Sequence, residues 1–156
     1  MDIDHDYAVR VQWQGNLGSG TSNYRSYSRD NLVTTQGKPP IEGSSDPAFR
    51  GSRERWNPEE LMVAALSQCH LLSYLHVAAT YGIVVTAYED DAIGKMQQTR
   101  NGGGHFTSVT LRPVVTISAG DPELALTLHR EASEKCFIAA SVNFPVLHEP
   151  VIALAE

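Results

Sequence analysis

The chain contains two cysteines, Cys69 and Cys136, and their surroundings decide what chemistry a thiol could do here. A pair so far apart in sequence is not the disulfide framework that staples small secreted domains. In a reducing compartment, two such thiols are either separate core residues or a working redox pair. A buried thiol is most often inert, so other residues must indicate chemistry before either cysteine receives a role.

Cys69 lies inside the run Asn57–His70, which carries a strong helix signal. The run opens with a capping asparagine, a proline at the first helical position, and Glu60 three residues after the cap. This pattern predicts a helix to about Tyr81, ended by Gly82. Apolar residues cover most of its circumference, so we expect a central helix that is covered on several sides.

The rest of the chain alternates strand patterns with one further helix. Alternation and turn residues predict strands at His5–Trp13, Asn23–Val33, 84–98, 106–118 and 146–154. The third and fourth should form a hairpin around Asn101–Gly104. A long irregular segment lies between Gly37 and Trp56, and Asp121 opens a second helix that leads to Cys136. We therefore predict one α+β domain over residues 1–156, with antiparallel sheets around the long helix.

Composition and charge exclude several classes of protein. The chain is 42% hydrophobic and 19% charged, and it has no uninterrupted apolar run of about 18 residues. We therefore expect a globular protein without a membrane span. The formal charge of −6 and the lack of a basic patch argue against a nucleic acid partner. The acidic start, Met1–Asp6, lacks the regions of a secretory signal, so we expect a cytoplasmic location.

Three segments together resemble the OsmC/Ohr family of thiol-dependent peroxidases, and its OsmC-like branch most closely. They are Asn57–His70, Val85–Met96 and Cys136–Val146. The asparagine-proline-glutamate start with a cysteine ten residues after the glutamate, joined to a distal cysteine before small residues, is a specific combination. The likeness extends over almost the whole chain. It implies the OsmC-like fold, in which antiparallel sheets wrap a long central helix that carries the reactive cysteine, as an intertwined homodimer.

The resemblance implies a cofactor-free peroxidase that reduces organic hydroperoxides, or also hydrogen peroxide, in oxidative or osmotic stress defence. Carried over, Cys69 is the attacking thiol and Cys136 the resolving one. The family also places an arginine and a glutamate at the attacking sulfur. Glu59 matches the glutamate, and Arg29 is our choice for the arginine, with Arg25 as the alternative. Two further arginines that precede the helix are outside candidates: Arg53 and Arg55.

These residue types suit peroxide chemistry for physical reasons. A thiol attacks the O–O bond as thiolate, whereas an apolar helix interior favours the neutral thiol. A nearby arginine stays charged, stabilises the sulfur anion and donates hydrogen bonds to the peroxide oxygens. The expected cycle is a Cys69 sulfenic acid, a Cys69–Cys136 disulfide, and reduction by an external dithiol, for which the family suggests a lipoyl group.

Spacing limits what Glu59 can do. On an unbroken helix the ten-residue offset to Cys69 corresponds to about 15 Å along the axis. Either the helix breaks between them or the glutamate comes from a second copy of the chain. We therefore predict a two-fold dimer with both active sites at its interface. A structural alternative is that Glu59 only favours the helix N-terminus through its charge.

Other interpretations remain open beside the peroxidase. A non-catalytic member of the same fold would bind an apolar ligand or partner in the interfacial pocket, and a general thiol-disulfide oxidoreductase is disfavoured because no C-x-x-C motif is present. His70 and His76 do not have the spacing of a chelating pair, so we predict no metal and expect both in the core or at an interface with satisfied hydrogen bonds. Glu89–Asp91 is predicted to be a solvated acidic patch.

Overall fold

The computed structural model describes residues 2–156. Helices and sheets occur together, as expected for an α+β protein. The chain divides into two compact units, Met1–Leu61 and Met62–Glu156, and the boundary falls within the first helix. The single domain expected over the whole chain stays a prediction.

The first unit contains a three-stranded antiparallel sheet in the order β1-β2-β3. The strands are β1 (Arg10–Trp13), β2 (Asn31–Thr34) and β3 (Ile41–Gly43). β1 is shorter than the strand predicted from His5. The segment expected to be irregular contains both β3 and a 3-10 turn at Pro47–Phe49, so it is partly ordered by the sheet.

The strand predicted over Asn23–Val33 is wrong in its first half. Asn23 Oδ1 accepts a hydrogen bond from the Arg25 backbone N–H at 2.7 Å, and the Ser26 hydroxyl donates to the Asn23 carbonyl at 2.8 Å. Such local bonds give the backbone an alternative to the sheet ladder. As a result, Arg25 and Arg29 lie on a turn-rich loop before β2.

The long helix α1 spans Pro58–Thr80 without a break, close to its predicted bounds. Its N-terminus has the predicted capping box. The Glu60 N–H donates to Asn57 Oδ1 at 2.8 Å, and the Asn57 N–H donates to the Glu60 carboxylate at 3.2 Å. Gly82 follows the helix with a φ of 73°, the left-handed conformation in which glycine commonly ends helices.

Within the chain, α1 is covered on one face only. The buried residues are Leu66, His70, Tyr74, Val77 and Ala78. Large apolar side chains that stay exposed on the helix are Met62, Leu72 and Leu75. By length and composition alone α1 could also cross a membrane, a property that the core helices of soluble proteins share. The prediction that α1 is covered on several sides is therefore confirmed for one side of the helix only.

The second unit has two three-stranded sheets, in the orders β4-β7-β9 and β5-β6-β8. Their strands are β4 (Val84–Asp90), β5 (Ile93–Gln98), β6 (Gly104–Leu111), β7 (Pro113–Ala119), β8 (Val146–His148) and β9 (Val151–Leu154). The predicted hairpin is present as β5-β6. Each long predicted strand is split in two, because the chain crosses from one sheet to the other. The last two strands pair in parallel, β8 with β6 and β9 with β7, so the sheets are mixed.

Asp90 stabilises the region where the chain passes from one sheet to the other. Its Oδ1 accepts from the Arg112 backbone N–H at 2.7 Å, and its Oδ2 accepts from the Ser67 hydroxyl of α1 at 2.5 Å. Pro113 follows and has no N–H for a ladder. The predicted solvated patch is therefore wrong for Asp90, because this carboxylate joins both halves of the hairpin to α1.

The second helix, α2 (Pro122–Glu134), begins at its predicted cap and contacts α1 through polar groups. His70 Nε2 and His129 Nδ1 lie 3.0 Å apart, and the Tyr74 hydroxyl donates to the Ala125 carbonyl at 2.8 Å. The His148 ring of β8 lies 4.5 Å from the His70 ring, between centroids. We call His70, His129 and His148 the histidine cluster. It fixes the residue next to Cys69 against α2.

Two members of the histidine cluster, His70 and His129, are buried and electrically neutral, and His148 is half-buried. His70 and His129 are 1% and 3% exposed. Burial, with neighbouring imidazoles as a smaller cause, lowers the pKa of His70 to about 3 and that of His129 to about 4. Within residues 2–156, His70 Nδ1 and His129 Nε2 have no hydrogen-bond partner. His70 is therefore a core histidine, as expected, but only half satisfied; His76 is exposed and not in the core.

Asp90→Ala should destabilise the protein by about 2 to 3 kcal/mol, because two hydrogen bonds to a carboxylate are lost. Urea denaturation measures the change. Asp91→Ala is the matched control, since Asp91 is exposed and the change should stay within about 0.5 kcal/mol. Equal effects of the two substitutions would contradict the role given to Asp90.

Acidification from pH 7 to pH 5 should lower the free energy of unfolding. The folded-state pKa values of His70 and His129 lie below the ordinary value near 6.5, so the unfolded chain binds more protons in this window. The stabilisation is complete above about pH 6.5 and declines by about 2 kcal/mol per histidine by about pH 5.

Urea midpoints measured across that pH range test this expectation. His129→Asn should flatten the pH dependence, and His76→Asn, at an exposed histidine, should leave it unchanged. A parent protein with constant stability from pH 7 to pH 5 would show that the cluster is not held neutral by the fold.

Candidate active site

The structure brings the two cysteines together. Cys69 is half-buried on α1, and Cys136 is 2% exposed just beyond the end of α2. Both are free thiols, and they lie close enough for the Cys69 side chain to contribute to the raised pKa of Cys136. A second contact comes from the Ala139 N–H, which donates to Cys136 Sγ at 3.4 Å. Two thiols in this relation can form a disulfide once one of them is oxidised.

Burial makes the two thiols chemically different. Desolvation, followed by the influence of the neighbouring Cys69 side chain, raises the pKa of Cys136 to about 11, against the opposing N–H of Ala139. Cys136 therefore keeps its proton at neutral pH and is shielded from solvent. Cys69 is the thiol that a solute can reach. The roles of Cys69 as attacking thiol and Cys136 as resolving thiol stay a prediction.

Arg29 is held rigidly by its own loop. Nη1 donates to the Tyr27 carbonyl and Nη2 to the Tyr24 carbonyl, each at 2.6 Å. Its guanidinium also lies over both tyrosine rings, 3.9 Å from the Tyr27 centroid and 4.4 Å from that of Tyr24. Neutral groups thus fix the orientation of the guanidinium. Among the described residues no carboxylate forms an ion pair with it, so its positive charge is not neutralised.

The other candidate arginines have different surroundings. Arg25 is exposed on the same loop as Arg29, and Arg53 is exposed before α1. Arg55 lies 3.5 Å from the Asp30 carboxylate and donates to the Asn31 carbonyl at 3.2 Å. Arg55 therefore stabilises the first unit. All four arginines belong to that unit, whereas both cysteines belong to the second.

Glu59 lies half-buried in the first turn of α1, where Glu60 and not Glu59 makes the capping box. Because α1 is continuous from Pro58 to Thr80, the offset of about 15 Å to Cys69 along the helix axis stands. Glu59 cannot reach the cysteine of its own helix. Of the two alternatives drawn from the spacing, the broken helix is therefore excluded.

The structure also groups residues that the sequence did not connect. His129 and His148 meet His70 only through the packing of α1, α2 and β8, and no spacing along the chain relates them. The only signal in the sequence was that both residues are histidines, since neither belongs to a motif. Across residues 2–156 no set of three or more His, Cys, Asp or Glu side chains is arranged to hold a metal ion.

Comparisons with known proteins agree with this architecture. Residues 51–149 match the family described as OsmC-like protein. An OsmC-like protein of unknown function from Vibrio cholerae is 31% identical, with 95% of this chain and 100% of that chain covered and a TM-score of 0.84. A search of curated proteins gives no significant match.

Two more distant structures share the fold. An organic hydroperoxide resistance protein from Elizabethkingia anophelis is 19% identical over 98% of this chain and 100% of its own, with a TM-score of 0.67. An organic hydroperoxide resistance protein from Legionella pneumophila is also 19% identical, over 96% of this chain and 99% of its own, with a TM-score of 0.67. The family match covers more than half of the sequence, and the Vibrio relative covers nearly all of it. The chain therefore belongs to the OsmC/Ohr family.

Proposed function

We propose that this protein is a thiol-dependent peroxidase that reduces organic hydroperoxides. The observation that carries the proposal is the pairing of an accessible Cys69 with a buried, protonated Cys136 in one unit. The fold supports it, because two structures that share this fold are named organic hydroperoxide resistance proteins. At 19% identity, each of these two structures supports a shared fold and nothing beyond it.

The proposed reaction uses two thiols of the chain, the hydroperoxide and an external dithiol. The Cys69 thiolate attacks the terminal peroxide oxygen, the O–O bond breaks, and the alkoxide takes a proton and leaves as alcohol. The Cys136 thiol then attacks the Cys69 sulfenic sulfur, which releases water and forms the disulfide. An external dithiol returns both cysteines to thiols. The high pKa keeps Cys136 protonated at rest, and as this thiol attacks it gives its proton to the departing hydroxide, which leaves as water.

Arg29 is the cation in this proposal. A guanidinium fixed by two carbonyls and two rings loses little conformational freedom when it meets an anion. Carbonyl and ring partners leave its charge available to a thiolate and to the developing oxyanion. Arg25 has no comparable support for its side chain. Arg29 is therefore the better choice.

The dimer belongs to the proposal as well. Met62, Leu72 and Leu75 are 39%, 60% and 38% exposed on α1, and a second copy of the chain could cover these apolar side chains. Glu59 cannot serve its own Cys69 along the continuous helix. We expect Glu59 of the partner subunit to act at the site, in a two-fold dimer.

A non-catalytic protein of the same fold is the competing function, and the thiols separate the two. Reduced protein treated with an equimolar amount of cumene hydroperoxide should promptly lose both free thiols. Cys69→Ser should lose none, and Cys136→Ser should react but stop at a sulfenic acid. Thiol titration and trapping with dimedone measure these outcomes.

Two results would contradict parts of this proposal. Unchanged thiols in the parent protein would leave the ligand-binding function. Normal turnover of Cys136→Ser with a dithiol reductant would show that Cys136 is not the resolving thiol.

Arg29→Gln should slow the reaction of Cys69 with cumene hydroperoxide by about a hundredfold, since a charged donor to the transition state is lost. Arg25→Gln, on the same loop, is the matched control and should remain within about twofold of the parent. The reverse order of effects would assign the site to Arg25.

A further inference from the structure

The turn at the tip of the β5-β6 hairpin contains the one Asn-Gly pair of the sequence, Asn101–Gly102. The residues from Thr99 to Gly104 are all exposed. Gly102 has a φ of 85°, and a Cβ added to it would meet no other atom within 4 Å. Neither a side chain nor a neighbouring segment therefore crowds the backbone at this point.

The side-chain amide of Asn101 is bonded at its carbonyl oxygen. The Thr99 hydroxyl donates to Asn101 Oδ1 at 2.5 Å, and the Gly103 N–H donates to the same atom at 3.2 Å. A Cβ on Gly103 would lie 3.2 Å from Thr99 Oγ1 and 3.4 Å from Asn101 Oδ1, so glycine permits this close approach. Two donors on a carbonyl oxygen stabilise the negative charge that develops there when a nucleophile adds to the carbon.

The backbone nitrogen of Gly102 is the nucleophile that the chain itself supplies, since its attack on Asn101 Cγ closes a five-membered ring. Glycine carries no Cβ, which lets the backbone approach the amide closely. In the folded turn the Gly102 N–H donates to the Thr99 carbonyl at 3.1 Å. Hydrogen bonds at an exposed loop tip open locally at a small cost in free energy, which releases the nitrogen for the attack.

We propose that Asn101 is a site of spontaneous deamidation that the Thr99 hydroxyl assists. The Gly102 nitrogen gives its proton to water and bonds to Asn101 Cγ, while the two donors hold the oxyanion on Oδ1. The bond from Cγ to Nδ2 then breaks, and the nitrogen takes a proton from water and leaves as ammonia. Water opens the resulting succinimide to aspartate or isoaspartate. The inference does not depend on peroxidase activity, because neither thiol takes part.

The other asparagines of the chain provide internal controls, because none of them precedes a glycine. They are Asn16, Asn23, Asn31, Asn57 and Asn143. Asn16 is the most informative, since its Oδ1 also accepts two hydrogen bonds, from the N–H groups of Gly18 and Gly20 at 3.0 Å each. Leu17 follows it, so its amide has two donors but its neighbouring nitrogen is hindered by a side chain.

Peptide mapping by mass spectrometry, after incubation of the full-length protein in mildly alkaline buffer, is the measurement. The amide of Asn101 should be replaced by a mixture of aspartate and isoaspartate at least about tenfold faster than that of Asn16, because ring closure favours glycine. Thr99→Val should slow the conversion of Asn101 by about tenfold, since one donor to the oxyanion is lost. Thr99→Ser keeps a hydroxyl and is the matched control, so its rate should stay within about twofold of the parent.

Three results would overturn the inference. The first is an Asn101 amide that is lost no faster than that of Asn16. The second is a Thr99→Val variant that converts at the parent rate or faster, which would show that the hydroxyl restrains the amide and does not activate it. The third is the same change of mass in Asn101→Gln, which would place the modification at another residue of the peptide, such as Gln97 or Gln98.

Discussion

The hydrogen bond between His70 and His129 is the contact on which the geometry of the thiols depends. It ties α1 to α2 at the residue next to Cys69. Cys136 follows α2 directly, so any shift between the two helices would separate the sulfurs. The Tyr74 hydroxyl reinforces the same pair of helices one turn further along α1. A polar contact in an otherwise apolar core is specific in direction, because only one arrangement of the helices satisfies it.

The same burial that shapes the core also divides the roles of the thiols. Removal from water keeps the histidines neutral and Cys136 protonated, and the half-exposed position of Cys69 leaves one reachable sulfur. In the proposed cycle, this difference in solvent access makes Cys69 the attacking thiol, and no metal or cofactor takes part. In the loop that carries Arg29, hydrogen bonds and ring contacts, not burial, determine the position of the charged group. Its cation is fixed by backbone carbonyls and aromatic rings, which orient Arg29 without neutralising it.

Local signals predicted the parts of the fold that local physics determines. The capping box at Asn57, the glycine stop after α1 and the β5-β6 hairpin were all readable from short stretches of sequence, and the structure contains them. The loop around Arg29 was predicted to be part of a strand, whereas local hydrogen bonds of Asn23 direct its backbone into turns. Asp90 and the histidine cluster were unpredictable, since their partners come from distant segments.

The central claim is that Cys69 and Cys136 of one chain form the redox pair of a peroxidase. Peptide mapping by mass spectrometry, without reduction, tests it most directly after treatment with an equimolar amount of cumene hydroperoxide. The account predicts one new cross-linked peptide that joins Cys69 to Cys136 within a chain. Oxidation of Cys69 without that cross-link, or a link between the Cys69 residues of two chains, would contradict it.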